Sequence, residues 1–223
     1  MLQVSGLVRT YRNGRRPPVP VLRGVDFTLA EGELLVIAGR SGSGKTTLLH
    51  LLVGVDRPDG GEVRFETIRL HPIAGEGEML RWRRTMGFLH QTPVLVPTLT
   101  SWENAVLPFR YWGKPNADWV SALFDRLGIA ELKHRRPREL SGGQATRVAL
   151  ARALARRPPV VFADEPTGRL DAETAGAVWE LLVDLNQTER MAALVVTHDP
   201  VILRRAARVA WLVDGRLRDR GDG

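Results

Sequence analysis

Apolar and polar positions alternate in the first part of the chain, which is the pattern of a half-buried β-strand. Residues 2–8 and 21–30 follow this pattern, and residues 62–65 and 68–70 repeat it over two shorter segments. The two short segments are neighbours along the chain and predict an edge hairpin. Alternation of this kind indicates strands with one buried and one solvated face.

Mostly apolar runs mark a second group of strands, which we expect to be buried on both faces. They cover residues 34–38, 86–91, 160–164 and 193–197, and a closing hairpin is predicted over 208–217. Helical signals separate these runs. The predicted helices cover about 44–53, 76–84, 118–128, 141–157 and 171–185.

Residues from about 92 to 140 differ in composition from the rest of the chain. Strand signals vanish there, and Pro, Trp and helical periodicity dominate. We therefore predict one domain over residues 1–223, in which residues 1–91 and 141–223 form a core with its β lobe and about 92–140 form a helical subdomain. A chain of 223 residues, 43% of them hydrophobic, is long enough to bury such a core.

The segment after the apolar run 34–38 carries the most informative motif. It matches the pattern G-x-x-x-x-G-K-[ST] of a P-loop and reads Gly39-Arg40-Ser41-Gly42-Ser43-Gly44-Lys45-Thr46-Thr47. Glycines let backbone N–H groups approach phosphates, and the helix that begins near Gly44 directs the positive end of its dipole at the same anion. Lys45 would reach the β- and γ-phosphates and Thr46 would supply a hydroxyl to Mg²⁺. The sequence thus predicts a nucleoside-triphosphate site.

A second glycine-rich helix start follows the helical insertion. Leu140-Ser141-Gly142-Gly143-Gln144 opens an Ala/Leu/Arg-rich helix, with Ser141 as a good N-cap. Two glycines weaken the first turn of a helix, but the N–H groups that they expose suit an anion. We therefore predict a second phosphate-binding surface.

Polar side chains follow three of the predicted strands. Gln91 ends the run 86–91, Asp164 and Glu165 end the run 160–164, and His198 follows the run 193–197. Ligands gather at the carboxyl ends of strands in α/β sheets, so these side chains are expected at one site. An Asp-Glu pair after a strand, downstream of a P-loop, is the Walker B arrangement, with Asp164 near Mg²⁺ and Glu165 next to the γ-phosphate.

Taken in this order, the motifs resemble those of the ATP-binding subunits of ABC transporters. The resemblance spans nearly the whole chain. It implies an α/β fold of the P-loop NTPase (ABC ATPase) type, with a mainly parallel central sheet, an antiparallel β lobe and a helical insertion. It also implies ATP and Mg²⁺ as cofactors and hydrolysis of ATP to ADP and phosphate.

The resemblance implies a role for single residues within one subunit. Tyr11 is expected to stack on adenine, and residues 39–47 to hold the phosphates. Glu165 is expected to act as the general base, with His198, Gln91 and Lys45 as the other catalytic residues. The expected metal contacts are Thr46, Gln91 and Asp164.

Other residues are implied to act between subunits. In a head-to-tail homodimer, the ATP of the opposite subunit is expected to contact Ser141, Gly142, Gly143 and Gln144. Asp171 is expected to lie at the dimer seam. Gln91 is further expected to sense the transmembrane partner.

Softer features resemble the subfamily that serves lipoprotein release and macrolide or peptide export. They are Gly54-Val55-Asp56-Arg57-Pro58, Pro97-Thr98-Leu99-Thr100, Glu103-Asn104 and Asp164-Glu165-Pro166-Thr167-Gly168. The chain departs from the usual family pattern at His90, at Ala145-Thr146 and at Arg169. None of these changes removes a catalytic group, and those at Ala145-Thr146 and Arg169 bear on the dimer seam and on the turnover rate.

Composition limits the cellular location and the partners that we expect for this protein. No run approaches the ~18 apolar residues of a membrane span, so a membrane role requires transmembrane permease subunits on a separate chain. We expect a cytoplasmic protein at the inner face of the cell membrane, and the absence of cysteine suits a reducing compartment. The net charge of +7 comes from scattered arginines without an interleaved aromatic tract, so no nucleic acid partner is expected.

Two other functions share the same ATPase residues. One is a non-transport ABC ATPase that regulates a cell-division membrane complex, and only its membrane partner would distinguish it. The other is an ABC-type ATPase that acts on DNA or ribosomes. Such proteins usually carry two ATPase units or a long coiled-coil insertion, whereas this chain has one P-loop and a short insertion.

Overall fold

The computed structural model describes residues 1–12, 14, 17–71, 75–168 and 170–219 of the chain. Within these ranges it contains ten strands, arranged in two sheets, and seven α-helices. No helix in these ranges combines the length and the apolar character that a membrane crossing requires. Arg169, which departs from the family pattern, lies outside the described residues.

The strands follow the order of the alternating and apolar runs. They are β1 (Leu2–Tyr11), β2 (Val19–Leu29), β3 (Leu34–Ala38), β4 (Gly60–Phe65), β5 (Ile68–His71), β6 (Met86–Leu89), β7 (Val160–Asp164), β8 (Ala192–Thr197), β9 (Arg208–Val213) and β10 (Arg216–Asp219).

The α-helices fill the intervals between the strands. They are α1 (Lys45–Leu52), α2 (Glu76–Thr85), α3 (Ser101–Val106), α4 (Ala117–Arg126), α5 (Gly142–Leu154), α6 (Ala172–Thr188) and α7 (Pro200–Arg205). Short 3₁₀ turns at Leu107–Arg110, Ala130–Leu132 and Pro137–Glu139 complete the stretch between β6 and α5.

The two sheets differ in strand direction. The smaller sheet has the order β2-β1-β4-β5 and is antiparallel throughout. The larger sheet has the order β10-β9-β3-β8-β7-β6, in which only β10 runs antiparallel to its neighbour. The predicted architecture, a mainly parallel central sheet with an antiparallel β lobe and a helical insertion, is therefore confirmed.

Two predicted strand ends were wrong. β1 continues to Tyr11, because its last residues pair with the start of β2, as in the pair Tyr11 and Val19. β6 ends at Leu89 instead of Gln91, because its pairing with β7 stops where Leu89 meets Ala163. Gln91 therefore lies in the bend that follows the strand.

The central sheet separates two hydrophobic cores. Successive side chains of a strand point to opposite faces, so Val36 and Ala38 of β3 lie in one core and Leu35 and Ile37 in the other. The first core is formed with α4, α5 and α6. The second is formed with α1, α2 and the antiparallel sheet, so the β lobe is joined to the central sheet by a continuous apolar layer.

A buried asparagine organises the connection between β6 and α3. The side chain of Asn104 accepts a hydrogen bond from the backbone N–H of Val96 and donates to the carbonyl oxygens of Val96, Leu99 and Thr100. Side-chain amides can replace backbone partners in this way where no secondary structure supplies them. Asn104 thus holds the segment that leads from Gln91 into the helices, and Arg152 adds a hydrogen bond to the carbonyl of Val94.

Trp82 of α2 is the aromatic link between the lobe and the central sheet. It is fully buried, contacts Phe65 of β4 and Phe162 of β7, and donates its indole N–H to the carbonyl of Leu52 at 2.9 Å. It therefore touches both sheets and the end of α1.

We predict that Trp82→Ala lowers the free energy of unfolding by about 3–5 kcal/mol, because it leaves a cavity between the sheets. Urea denaturation of the purified chain measures this change. Tyr111→Ala is the matched control, since that ring is 76% exposed and its loss is expected to stay within about 0.5 kcal/mol. Equal effects of the two substitutions would contradict the linking role of Trp82.

Candidate functional site

A cavity of about 660 Å³ opens at the carboxyl edge of the parallel sheet. It collects predicted residues that come from the ends of β3, β6, β7 and β8. Its lining includes Arg40, Ser41, Gly42, Gly44, Lys45, Thr46, Thr47, Gln91, Asp164, Glu165 and His198, together with Val21 of the β lobe. The fold thus brings P-loop, Walker B and strand-end residues together.

Several predicted residues lie elsewhere. Gly39 and Ser43 line an adjoining cavity of about 490 Å³ on the other side of the P-loop. Tyr11, Asp171 and the segment 141–144 are not part of the lining of either cavity.

The P-loop conformation depends on its glycines at two points. Gly44 has a φ of 102°, and a Cβ there would lie 2.7 Å from a methyl carbon of Val21. A Cβ on Gly39 would lie 2.8 Å from the carbonyl oxygen of Leu212. The loop therefore closes tightly against β2 and β9, which leaves its concave side for a ligand.

Lys45 points into this loop. Its side chain is 8% exposed, and Nζ donates to the carbonyl oxygens of Gly39 at 2.8 Å and Arg40 at 3.1 Å. A buried ammonium group needs such partners, since an unpaired one would be costly. These two hydrogen bonds from Lys45 therefore stabilise the curved conformation of the loop around the ammonium group.

The loop also presents groups that suit a phosphate. The N-cap of α1, Gly44, supplies no side-chain hydrogen bond, and no acidic residue lies in the first turn. The hydroxyl of Ser43 is buried and has no hydrogen-bond partner among the described residues. An uncapped helix N-terminus and a buried unpaired hydroxyl are groups that an anion would satisfy.

Asp164 provides a carboxylate beside the loop. It is 3% exposed, and burial raises the pKa of its carboxyl above the ordinary value, while a hydrogen bond from Thr46 lowers it in part. In the described ranges, no three His, Cys, Asp or Glu side chains form a metal cluster. Mg²⁺ commonly takes one or two carboxylates plus phosphate oxygens and water, so Asp164 and Thr46 fit that kind of site.

Glu165 and His198 form a direct pair. His198 Nδ1 lies 2.7 Å from Glu165 Oε1, and because a carboxylate only accepts hydrogen bonds, Nδ1 is the donor. The Glu165 side chain is 9% exposed whereas that of His198 is 72% exposed. The carboxylate is therefore held at the cavity wall, and the imidazole faces solvent.

The backbone at Glu165 contributes to this placement. Its φ is 49°, in the left-handed region that side chains other than glycine rarely adopt. Its N–H donates to the carbonyl of Val196 in β8 at 2.9 Å. The strand end is thus turned so that the side chain points along the edge of the sheet toward His198.

Sequence reasoning missed Thr197, which positions Glu165. Thr197 is fully buried, and its hydroxyl donates to Glu165 Oε2 at 2.9 Å and accepts the N–H of Asp199 at 3.0 Å. Asp199 is in turn held by the hydroxyl of Thr167 at 3.1 Å. The available signal was a threonine at the end of an otherwise apolar run, because a buried hydroxyl needs a partner.

The segment 141–144 forms a helix cap. The hydroxyl of Ser141 accepts the N–H of Gln144 at 3.2 Å, and the Gln144 side-chain oxygen accepts the N–H of Ser141 at 2.8 Å. This reciprocal pair is a capping box and offsets the weakening by two glycines. Thr146, one of the departures from the family pattern, is buried and donates to the carbonyl of Gly142 at 3.0 Å.

Asp171 caps the next helix. Its carboxylate accepts the N–H of Thr174 at 2.9 Å and the hydroxyl of Thr174 at 2.8 Å. These hydrogen bonds hold the pKa of the exposed Asp171 carboxyl below its ordinary value. The start of α6 is therefore fixed by the residue expected at the dimer seam.

We predict that Thr197→Val lowers the free energy of unfolding by about 1–3 kcal/mol, because Glu165 Oε2 and the Asp199 N–H lose a buried partner. Thr197→Ser keeps the hydroxyl and is expected to lose less. Urea denaturation of the nucleotide-free chain compares the two variants. A valine variant as stable as the serine variant would show that this hydroxyl does not support the site.

Comparisons with known proteins agree with this geometry. A family model described as ABC transporter matches residues 22–168. The chain is 44% identical, over 97% of its length and 95% of the relative, to the lipoprotein-releasing system ATP-binding protein LolD of Hydrogenovibrio crunogenus. The dimeric structure of MJ0796, a bacterial ABC transporter cassette, matches with a TM-score of 0.90 and 35% identity, over 98% of this chain and 97% of that one. A dimeric post-hydrolysis state of the same cassette, bound to ADP and Pi, matches with a TM-score of 0.87 and 36% identity over the same shares. This chain therefore belongs to the ABC transporter family.

Proposed function

We propose that this chain is the ATP-binding and ATP-hydrolysing subunit of a membrane transporter of the lipoprotein-release type. One observation carries the proposal: the Glu165–His198 pair lies in the same cavity as the P-loop, so a γ-phosphate held by the loop would meet both side chains. The match to LolD over nearly the whole chain supports lipoprotein release over the cell-division alternative.

The phosphates of ATP are bound by the P-loop in this proposal. Lys45 exchanges the carbonyl oxygens of Gly39 and Arg40 for phosphate oxygens. The amides at the start of α1 face the anion. Thr46, Asp164 and Gln91 would hold Mg²⁺, which when bound would supply charge neutralisation at the phosphates.

Glu165 is the general base of the proposed reaction. A base that accepts a proton from water must have a fixed carboxylate oxygen within hydrogen-bond reach of that water. Thr197 fixes the Glu165 carboxylate through Oε2, which leaves Oε1, now paired with His198, as the oxygen that accepts the proton of the water. His198, being exposed, then donates to the γ-phosphate.

A second copy of the chain completes the site. Ser141 and Gly142 are exposed and lie outside the cavity of their own subunit, although their helix start suits a phosphate. A head-to-tail pair related by a two-fold axis would bring each segment 141–144 to the ATP of the other subunit, with Asp171 at the seam. The dimeric state of the MJ0796 cassette supports this arrangement.

The transmembrane partners are proposed to bind beside β6. A groove there, next to the segment that contains Gln91, is lined by Phe88 and Trp112 and by Arg83, Arg152 and Arg156. Arg156 lies 5.1 Å from the centre of the Trp112 ring. An acidic and partly apolar segment of a separate permease chain would fit this surface, which would place the protein at the inner face of the membrane through that partner.

We predict that Glu165→Gln lowers ATP turnover by about 10²- to 10⁴-fold, because the amide cannot accept the proton of the attacking water. The variant keeps the shape of the side chain and is expected to accumulate as an ATP-bound dimer, seen by light scattering after size exclusion with Mg-ATP. Lys45→Ala is the control, and it is expected to stay monomeric because it does not hold the phosphates. Turnover near the wild-type rate would show that another residue is the base.

We predict that the Glu165→Gln variant, captured from native membranes solubilised with Mg-ATP, brings down a membrane protein with a large extracytoplasmic domain. The same variant carrying Trp112→Ala is the control and should capture less of that protein. Recovery of a cell-division membrane complex would move the assignment to the regulator. Recovery of only ribosomes or DNA would refute the transporter function.

A further inference from the structure

Tyr11 is held on two sides by charged residues. Its hydroxyl donates to Asp56 Oδ2 at 2.9 Å, and the guanidinium carbon of Arg9 lies 4.7 Å from the centre of its ring. Arg9 also binds the other oxygen of Asp56, Oδ1, at 2.8 Å. The three side chains therefore form a closed triangle at the end of β1.

Further contacts fix this triangle to its surroundings. Asp59 accepts the N–H of Thr10 at 2.6 Å and lies 3.4 Å from Arg9, and its own N–H donates to the carbonyl of Val8 at 2.8 Å. Partial burial by itself would raise the pKa of Asp56, but hydrogen bonds from the Arg57 N–H and the Tyr11 hydroxyl, together with the Arg9 charge, bring it below the ordinary value. Asp56 is thus an ionised and well-satisfied acceptor.

Asp56 also belongs to the end of the P-loop helix. The N–H groups of Val55 and Asp56 both donate to the carbonyl of His50, at 2.9 and 3.2 Å. The helix α1 thus starts at the phosphate-binding loop and ends in the turn that carries Asp56. Its eight residues span about 12 Å at the helical rise per residue.

We infer that Asp56 is a positioning residue that holds the Tyr11 ring in the orientation required to stack on the base of ATP, at a distance from the phosphates that α1 sets. The inference rests on the stacking role that the family resemblance implies for Tyr11. Arg9 covers one face of the ring, the hydroxyl edge is fixed by Asp56, and Tyr11 is 38% exposed. Tyr11 pairs with Val19, which lines the cavity that adjoins the P-loop, so the remaining face of the ring is the one left to the base.

The physical gain is preorganisation. A tyrosine at the end of a strand, next to a polar loop, can turn about its side-chain torsions, and ordering it on binding weakens affinity. With the hydroxyl already fixed, that ordering is done before ATP arrives. The gain concerns the base alone, because the phosphates contact other residues.

The test compares the binding of ATP with that of inorganic tripolyphosphate, which has no base, by calorimetry at constant Mg²⁺. Tyr11→Phe removes only the hydroxyl, and Asp56→Ala removes the carboxylate that accepts its hydrogen bond. Each is expected to raise the Kd of ATP by about three- to tenfold and to leave the Kd of tripolyphosphate unchanged. The double variant is expected to be no weaker than the single ones, because both changes break the same contact.

Asp26→Ala is the matched control. It removes an equal charge from β2, the strand that pairs with β1, where the Asp26 carboxylate accepts the N–H of Gly6 at 2.7 Å. Its Kd for ATP should stay at the wild-type value. If Asp26→Ala weakens ATP binding as much as Asp56→Ala does, or if Tyr11→Phe binds ATP like the wild type, the positioning role is refuted.

A further variant separates this inference from the proposed stacking. Tyr11→Ala removes the ring and should weaken ATP more than Tyr11→Phe does, again without effect on tripolyphosphate. If Tyr11→Ala weakens ATP binding but Tyr11→Phe does not, the ring binds the base without the help of Asp56, which overturns the inference alone. If Tyr11→Ala binds ATP like the wild type, Tyr11 does not contact the base, which overturns the stacking role and the inference together.

Discussion

The parallel pairing of β3 with β8, and of β8 with β7, is the constraint on which the site depends. Ala38 is opposite Thr197, and Asp164 is opposite Val196, so three strands end at nearly the same level. The P-loop, the Walker B carboxylates and His198 are consequently neighbours although they are far apart in the chain. A slip of one residue in either register would invert the faces of a strand and bury the wrong side chains.

The sequence predicts those parts of the site that depend on local structure. The P-loop is a strand, a turn and a helix start that are contiguous in the chain, so its pattern reports its geometry directly. The position of Glu165 next to His198 could be anticipated because both follow buried strands of a parallel sheet. The half-buried strands of the antiparallel lobe were also predicted, since alternation over 2–8 and 21–30 is a local signal.

Contacts between distant residues could not be predicted from the sequence, because they carry no periodic signal. The hydroxyl of Thr197, at the end of β8, donates to Glu165, which follows the neighbouring strand β7. The hydroxyl of Tyr11, at the end of β1, donates to Asp56 in the turn after α1. The end of β6 was misplaced for a related reason, since pairing with β7 decides where it stops. Residues 141–144 lie outside the cavity of their own chain, so their proposed contact with ATP depends on assembly, which the fold of one chain does not determine.

The engagement of Lys45 with its own loop has a consequence for how binding measurements should be interpreted. In the proposed binding mode, the lysine replaces two hydrogen bonds to backbone oxygens by hydrogen bonds to phosphate, so the observed affinity reports a difference between two sets of partners. The strength of the phosphate contacts themselves is therefore larger than any dissociation constant of the free subunit suggests. When the product leaves, Lys45 can return to the carbonyl oxygens of Gly39 and Arg40, so its buried charge has partners before and after each turnover. The charge of Lys45 therefore does not favour collapse of the loop.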